Sequence, residues 1–459
     1  MRDSASSLAG FGQPYWLDLP RPEYPVLERD LAADAVVIGA GIFGLKLARY
    51  LGRLGLQVVI LEASRVGEGA SGRNQGSANH GAGIDYLTAI DRYGRARARE
   101  IWQLGLENHR LIREQLDDYE VDCDYRVGGF TFLARRDMPG WEDDVRQYRM
   151  QHDLLAEDGF AVEPLDEEEA LRRTGNPVFA GGLTYQADAQ FHSGKYVIGL
   201  ARGVSRTRGV QLYERTRVTA IERTGAVSVV RAGAVAVRAP LVFLALNALA
   251  PQQVRGLAPG LRAERGQVLV TEPLPDRPCD GSFGTAMAWW RELPEADGRF
   301  RLLFGGGRRR DEPDSLFRQF TAEGRPHPSL ESGGFSPSEA HQARLDAQFA
   351  TLFPRYRGVA VTHRWGGLQS FTADGFPQVG LFDAERAIYG AAGFSGRGNC
   401  YSDVAAAYLV GLATGASGAL APRHAALIAE LMAVGRPASQ WSDWDSNAAA
   451  GPPEPKAGQ

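Results

Sequence analysis

Apolar residues between Ala35 and Leu61 fall into three runs with two different periods. Ala35-Val36-Val37-Ile38 is a continuous run closed by glycine, Ile42, Leu45, Leu47, Leu51 and Leu54 then recur at helical spacing, and Val58-Val59-Ile60-Leu61 is a second continuous run. Continuous apolar strands imply burial on both faces, so this stretch predicts a βαβ unit with parallel strands. Ala96 to Tyr119 and Met138 to Asp158 carry charged helical patterns, followed by the Glu-rich Asp166 to Glu169, and predict helices of a second domain. Val210 to Leu246 alternates apolar and polar residues between glycines, which predicts a small antiparallel meander returning to a buried strand at Leu241 to Leu246. Arg265 to Glu272 and Phe300 to Phe304 read as further strands. Pro20, Pro22 and Pro25 predict an extended arm before the first strand, and the Pro, Gly and charge content of Arg308 to Pro337 predicts a long surface excursion. The Ala, Pro and Gly of Asn447 to Gln459 predict a disordered tail.

A chain of 459 residues exceeds what one core usually spans, so two domains are expected. With 44% hydrophobic and 23% charged residues, disorder is not the main state. A net charge of -4 without a basic stripe argues against nucleic acid as a partner. Cys123, Cys279 and Cys400 lie far apart with no metal or redox spacing, so no metal is expected and the thiols read as reduced, in a cytoplasmic protein. Met1 to Gly12 has no export-signal pattern. The charge-free run Val404 to Pro422 approaches membrane-spanning length, but Gly411, Thr414, Gly415, Ser417 and Gly418 favour a packed internal helix and a turn, so no membrane is expected.

The chemistry starts at Gly39-Ala40-Gly41-Ile42-Phe43-Gly44. A glycine triplet alone says little in a chain with 55 glycines, but this one follows a strand, opens a helix, and precedes Glu62 at the end of the next strand. Gly39 permits the tight turn, Gly41 lets backbone approach a diphosphate, and Gly44 allows close helix-to-strand packing, with the phosphates at the helix N-terminus. Glu62 stands where a carboxylate takes both hydroxyls of the adenosine ribose, with Ala63 beside it. The fingerprint alone does not separate FAD from NAD.

Other motifs do. Ser71-Gly72-Arg73-Asn74-Gln75-Gly76 follows Glu62 closely, and Gly393-Phe394-Ser395-Gly396-Arg397-Gly398 precedes an apolar helix. Between them stand Glu214-Arg215-Thr216-Arg217-Val218, Leu244-Ala245-Leu246-Asn247-Ala248, Trp365-Gly366-Gly367-Leu368 and Thr372-Ala373-Asp374-Gly375-Phe376-Pro377. In these motifs and their order the chain resembles the D-amino-acid oxidase superfamily of FAD-dependent oxidoreductases, within it the γ-glutamylputrescine oxidase-like branch. The resemblance implies FAD as cofactor, with the ADP half on the Rossmann-like unit. It also implies that the Ser71–Gly76 loop runs beside the isoalloxazine and that the Gly393–Gly398 loop caps the pyrimidine end. It places adenine against the backbone near Val218, and adds Asn247 and Gly366 to the cofactor-binding set.

The same resemblance implies hydride transfer from the carbon next to a neutral amine nitrogen to flavin N5, giving an imine. Arg397 is the expected cation near flavin N1 and the C2 carbonyl; its alternative is a surface arginine in a glycine turn. His80 is expected to contact the flavin or accept a substrate proton, with a plain loop histidine the equal alternative. Trp365, Trp289 and Trp290 could wall the substrate pocket or be ordinary packing. Asn74 and Gln75 read as flavin contacts rather than catalysts. Glycine-oxidase-like members place a carboxylate-binding arginine where Gln369 stands, and sarcosine-oxidase-like members a lysine where Cys400 stands. Their flavin-bonding cysteine would fall at Gly367, which implies noncovalent FAD, and the oxygen-activating lysine of some relatives has no counterpart in Leu302-Leu303-Phe304.

The resulting expectation is an α/β protein with a Rossmann-like, three-layer FAD-binding domain and an α+β substrate domain on a mixed or antiparallel sheet. Residues 28–90, 190–260 and 360–435 are assigned to the FAD domain, 91–189 and 261–359 to the substrate domain, 1–27 to the arm and 446–459 to the tail. The expected activity is oxidation of a small amine with O2 as acceptor. An amine dehydrogenase or amino-acid oxidase of the same fold, and a noncatalytic flavin-bearing subunit, are the alternatives.

Overall fold

The computed structural model describes residues 11–81, 83–306 and 335–436. Most of the predicted excursion at 308–337, the tail and the first ten residues of the arm lie outside the described residues. Nine helices fall within them: α1 (Ile42–Arg53), α2 (Tyr86–Tyr93), α3 (Arg95–Tyr119), α4 (Trp141–Glu157), α5 (Glu167–Thr174), α6 (Ser193–Arg206), α7 (Glu339–Leu352), α8 (Gly398–Thr414) and α9 (Pro422–Leu431).

The two continuous apolar runs form the centre of a six-stranded sheet. Its strand order is Val210–Tyr213, Val58–Leu61, Ala35–Ile38, Leu241–Leu244, Ile388–Ala392 and Gln378–Asp383, all parallel except the last pair. Period-2 geometry divides each run between two layers. Ala35, Val37, Val58 and Ile60 point into a core shared with α1, α3, α6 and α8. Val36, Ile38, Val59 and Leu61 point into a second core closed by the meander Ala220–Thr224, Val227–Ala232 and Val235–Ala239. The result is a three-layer domain of helices, parallel sheet and small antiparallel sheet.

Two elements sit differently from the sequence expectation. Val210–Tyr213 is the edge strand of the parallel sheet, not the first strand of the meander: α6 supplies the crossover a parallel partner requires. Helix α3, expected in the second domain, lays Ile101, Trp102, Leu111 and Ile112 into the core of α1, α6 and α8. Its other face is charged, which is why its pattern read as an exposed helix.

The second sheet has eight strands, ordered Val361–Phe371, Arg262–Thr271, Phe300–Gly306, Ala288–Pro294, Ser282–Gly284, Phe130–Arg135, Phe179–Tyr185 and Val162–Leu165. It is antiparallel apart from the parallel contact between Ser282–Gly284 and Phe130–Arg135, so the sheet is mixed. One face packs Trp290, Phe304 and Leu269 under α7. The opposite face presents Val268, Leu303 and Trp365 toward the loop after Glu62, joined by Trp16. The segment boundaries drawn at 360 and 91 run through these layers: Val361–Phe371 pairs along its length with Arg262–Thr271, while α3 lies on the helical layer. The arm is not wholly extended either, because a 3-10 turn at Tyr15–Leu17 buries Trp16.

Candidate functional site: a cofactor cleft between two helix N-termini

The turn after Ala35–Ile38 is built as its glycines require. Gly39 has φ +107°, and a Cβ there would lie 2.9 Å from the Ala245 carbonyl oxygen. A Cβ on Gly44 would fall 1.9 Å from the Gly39 oxygen, so only glycine lets α1 approach the strand this closely. The Ile42 N–H, at the start of α1, donates to Ser71 Oγ at 2.9 Å, and a Cβ on Gly41 would meet that same oxygen. Ser71, from the second motif, thus closes over the helix N-terminus. Glu62 accepts the Ala40 N–H (2.8 Å) and the Ser64 N–H (2.9 Å). Burial raises its carboxyl pKa, and the two backbone donors act against that rise. The Thr216 N–H donates to the Glu62 carbonyl, which brings Val218 to the same end of the sheet, and Ala63 is exposed next to it.

The Ser71–Gly76 loop is held from within. Asn74 Nδ2 donates to the Ala70 and Ser71 carbonyls, while its Oδ1 accepts the Gly76 N–H and Ser193 Oγ–H. Its amide is therefore spent on the loop, so a flavin contact at Asn74 would fall to its backbone. Arg73 donates to the Glu68 and Gly366 carbonyls and lies over the Phe335 ring at 4.4 Å. Gly72 leaves no room for a Cβ against Gly67 and Leu17. Trp365 is fully buried and donates Nε1–H to the Arg73 carbonyl at 3.0 Å. It buttresses the loop and has no exposed face to offer a substrate, so of the two readings packing holds for Trp365 rather than a pocket wall. Trp290 is likewise wholly buried, stacked with Phe179 and Phe283, whereas Trp289 is half-buried over Gly305.

Past the loop the polar groups are handled differently. Gln75 Nε2, Ser77 Oγ and His80 Nε2 are buried and have no hydrogen-bond partner within the protein. Buried polar groups ordinarily find partners, so these three, within six residues, are groups that a bound polar ligand would satisfy. His80 itself is 4% exposed: Nδ1 is 2.6 Å from Asp188 Oδ1, its N–H donates to the same oxygen, and Tyr185 packs on the ring at 5.1 Å. It is a buried, carboxylate-held imidazole, not an exposed loop histidine.

The far motif closes the other end. Gly393 (φ +77°) donates its N–H to Asn247 Oδ1 at 3.1 Å, and the Ser395 N–H donates to the Ser370 carbonyl. The Phe394 ring meets Phe43 of α1 at 5.6 Å, so the two glycine motifs touch. Arg397 is the residue before α8 and donates Nη1–H to the His80 carbonyl at 3.3 Å. A Cβ on Gly396 or Gly398 would make only an ordinary contact, its nearest neighbour 3.9 Å away, with Gln369 Nε2 beside Gly396. The Gly366 N–H donates to the Phe335 carbonyl at 3.1 Å, so that backbone donor already has a partner.

The candidate site thus extends from the N-terminus of α1, past unsatisfied donors, to the N-terminus of α8. Both ends favour negative charge through oriented N–H groups, and Glu62 offers a carboxylate for hydroxyls at the first end. These features fit an elongated dinucleotide carrying a polar heterocycle. Sequence reasoning missed Asp188, Ser193 and Arg291, which reach the site from a turn, a helix and a strand that carry no motif. Among the described residues there is no metal-ligating cluster and no helix long and apolar enough to cross a membrane.

Comparison with known proteins agrees with this geometry. The chain is 28% identical over 384 residues to a probable oxidoreductase OrdL of Haemophilus influenzae, covering 82% of this chain and 81% of that one. It is also 28% identical over 386 residues to the gamma-glutamylputrescine oxidoreductase of Escherichia coli, covering 82% of each. Among solved structures, glycine oxidase from Geobacillus kaustophilus superposes with a TM-score of 0.67 at 19% identity, over 85% of this chain and 97% of that one, a likeness of fold. The DAO family, described as FAD dependent oxidoreductase, matches residues 34–412, and the chain belongs to it.

Proposed function

We propose that this FAD-dependent oxidoreductase is an oxidase of a small amine, with FAD held noncovalently and O2 as the final acceptor. Bound FAD supplies the hydride acceptor for the C–H next to the amine nitrogen, and the imine released hydrolyses in water. The protein binds and tunes. The α1 N-terminus would hold the diphosphate and Glu62 the ribose hydroxyls. The α8 N-terminus and Arg397 stabilise negative charge at the pyrimidine end. The paired strands Arg262–Thr271 and Val361–Phe371 would cover the reacting face of the bound ring and limit water there.

The observation that carries the amine reading is Gln369. It stands at the rim of the α8 N-terminus, 3.9 Å from where a Gly396 Cβ would be, and it is neutral where a carboxylate-binding arginine would serve an α-amino acid. Cys400, the other anchor position, is buried in α8, and burial raises its thiol pKa to about 11, so it offers no charge either. The relative named gamma-glutamylputrescine oxidoreductase supports a CH–NH substrate. Gly367 lies against Arg73 Cβ, and Cys123, Cys279 and Cys400 are all buried, which supports noncovalent FAD and a reducing, cytoplasmic setting.

The test is anaerobic bleaching of the yellow protein against diamines, N-methyl amines, ω-amino acids and α-amino acids, followed by an aerobic peroxide assay. Bleaching by α-amino acids alone refutes the argument from Gln369. Bleaching without peroxide on admission of air makes the protein a dehydrogenase.

A further inference from the structure

Five lysines and arginines are buried among the described residues, and four have a carboxylate in ion-pair reach. Lys46 has Asp403, Arg49 has Glu114 and Asp118, Arg73 has Glu68, and Arg135 has Asp137. Arg291 is the fifth. It is 5% exposed, and no carboxylate among the described residues pairs with it. The adjacent Glu292 is engaged by Arg277 and Arg126. Arg291 Nη1 donates to the Gly76 carbonyl at 2.5 Å and the Phe191 carbonyl at 3.1 Å, its Nε has no partner, and the Trp16 ring lies 5.6 Å from the guanidinium carbon. Burial lowers its pKa to about 10, which leaves it charged at neutral pH.

A buried charge without a counter-ion is expensive to keep, and two carbonyl dipoles compensate it only in part. Its position says what the charge is for. It backs Gly76, the last residue of the loop after Glu62, and Gly76 stands between Gln75 and Ser77, whose Nε2 and Oγ are buried without partners. The neighbouring His192 is neutral at physiological pH, its pKa lowered to about 4 chiefly by burial, so it adds no competing charge. The Gly76 turn and Trp16 cover Arg291, which removes it from contact with a diffusing substrate. What remains is action through its field, which a low-dielectric surrounding transmits over several ångströms.

We propose that Arg291 is a built-in counter-charge for anionic forms of the flavin ring, acting from behind the Gly76 turn while Gln75 and Ser77 meet the ring directly. This rests on FAD occupying the cleft as proposed above. Arg291 is on this view a positioning residue: it holds the turn by hydrogen bonds and biases the bound ring by charge.

The test uses the FAD-loaded full chain with Arg291→Gln, which keeps donors but removes charge, and Arg291→Lys, which keeps charge but loses the fork. Sulfite, a small anion that bleaches oxidised flavin on binding, is titrated by visible absorbance, and the two-electron reduction potential is measured alongside. FAD content and circular dichroism establish that each variant is folded. Arg291→Gln should bind sulfite about ten- to hundredfold more weakly and show a lower potential. Arg291→Lys should stay within about threefold of wild type. Unchanged sulfite affinity in Arg291→Gln overturns the proposal, as does a folded Arg291→Lys that loses as much as the Gln variant. A raised KM with sulfite affinity intact would make Arg291 a substrate handle and overturn it too. A wild-type protein that takes up no FAD refutes the proposed function instead, so the two failures are distinct.

Discussion

Lys46→Met would strike the joint between the two helices whose N-termini frame the cleft. Lys46 on α1 and Asp403 on α8 form an ion pair in which both side chains are completely buried. Lys46 Nζ also donates to Ser402 Oγ at 2.7 Å, Gln115 Nε2 donates to Asp403 Oδ1, and the Asp403 N–H donates to Asn108 Oδ1 at 2.9 Å. Every charge in this network is satisfied only by a partner on another helix. Methionine fills the lysine's volume but leaves the Asp403 carboxylate buried without its cation, a loss of about 3–5 kcal/mol. The double variant Lys46→Met/Asp403→Leu removes both charges, and buried pairs replaced by apolar residues of similar size are often neutral in stability. It should recover most of the loss. Burial raises the Asp403 pKa already, and more so without Lys46. A group with a raised folded pKa contributes stability at low pH and loses it as pH rises. The Lys46→Met defect should therefore shrink as pH is lowered from neutral and the raised carboxyl becomes protonated. Denaturant unfolding of the FAD-loaded proteins, with FAD fluorescence as a second probe, measures this. A loss below about 1 kcal/mol, or a double variant no better than the single, refutes the reasoning.

Gly44→Ala drives a methyl into the Gly39 carbonyl, 1.9 Å away in the present geometry, so α1 must retreat from the strand. We expect FAD affinity to fall at least about tenfold by fluorescence titration, with about 1–3 kcal/mol lost in stability. His192 caps α6 by accepting the Lys195 N–H at Nδ1 (3.2 Å), and burial lowers its pKa from 6.5 to about 4. Because the folded pKa lies below the unfolded one, its stability is present above pH 6.5 and is lost as pH falls toward 4. His192→Asn, which caps without titrating there, should flatten the melting-temperature profile in that window. Arg397→Met should weaken sulfite binding, and an unchanged affinity would remove Arg397 from the pyrimidine end.

The sequence by itself determined the parallel sheet and the diphosphate end of the site. Continuous β-branched runs are buried on both faces whatever surrounds them, and Gly39, Gly41, Gly44 and Glu62 act within one local βαβ unit, so their spacing carries their geometry. Trp365 and Asn74 show where that legibility stops. Both belong to motifs, yet whether such a side chain faces a ligand or its own loop depends on partners more than a hundred residues away: Trp365 meets the Arg73 carbonyl, and Asn74 meets Ser193. His80 stayed open between a flavin contact and a plain loop histidine because Asp188, its partner, is 108 residues distant. Only the tertiary structure decided which charges were neutralised. Ion pairing in a buried site is set by distances of a few ångströms between separate strands and helices, and no period or spacing along one chain encodes them. Arg291 is therefore an ordinary arginine in the sequence and an uncompensated charge beside the cleft in the fold.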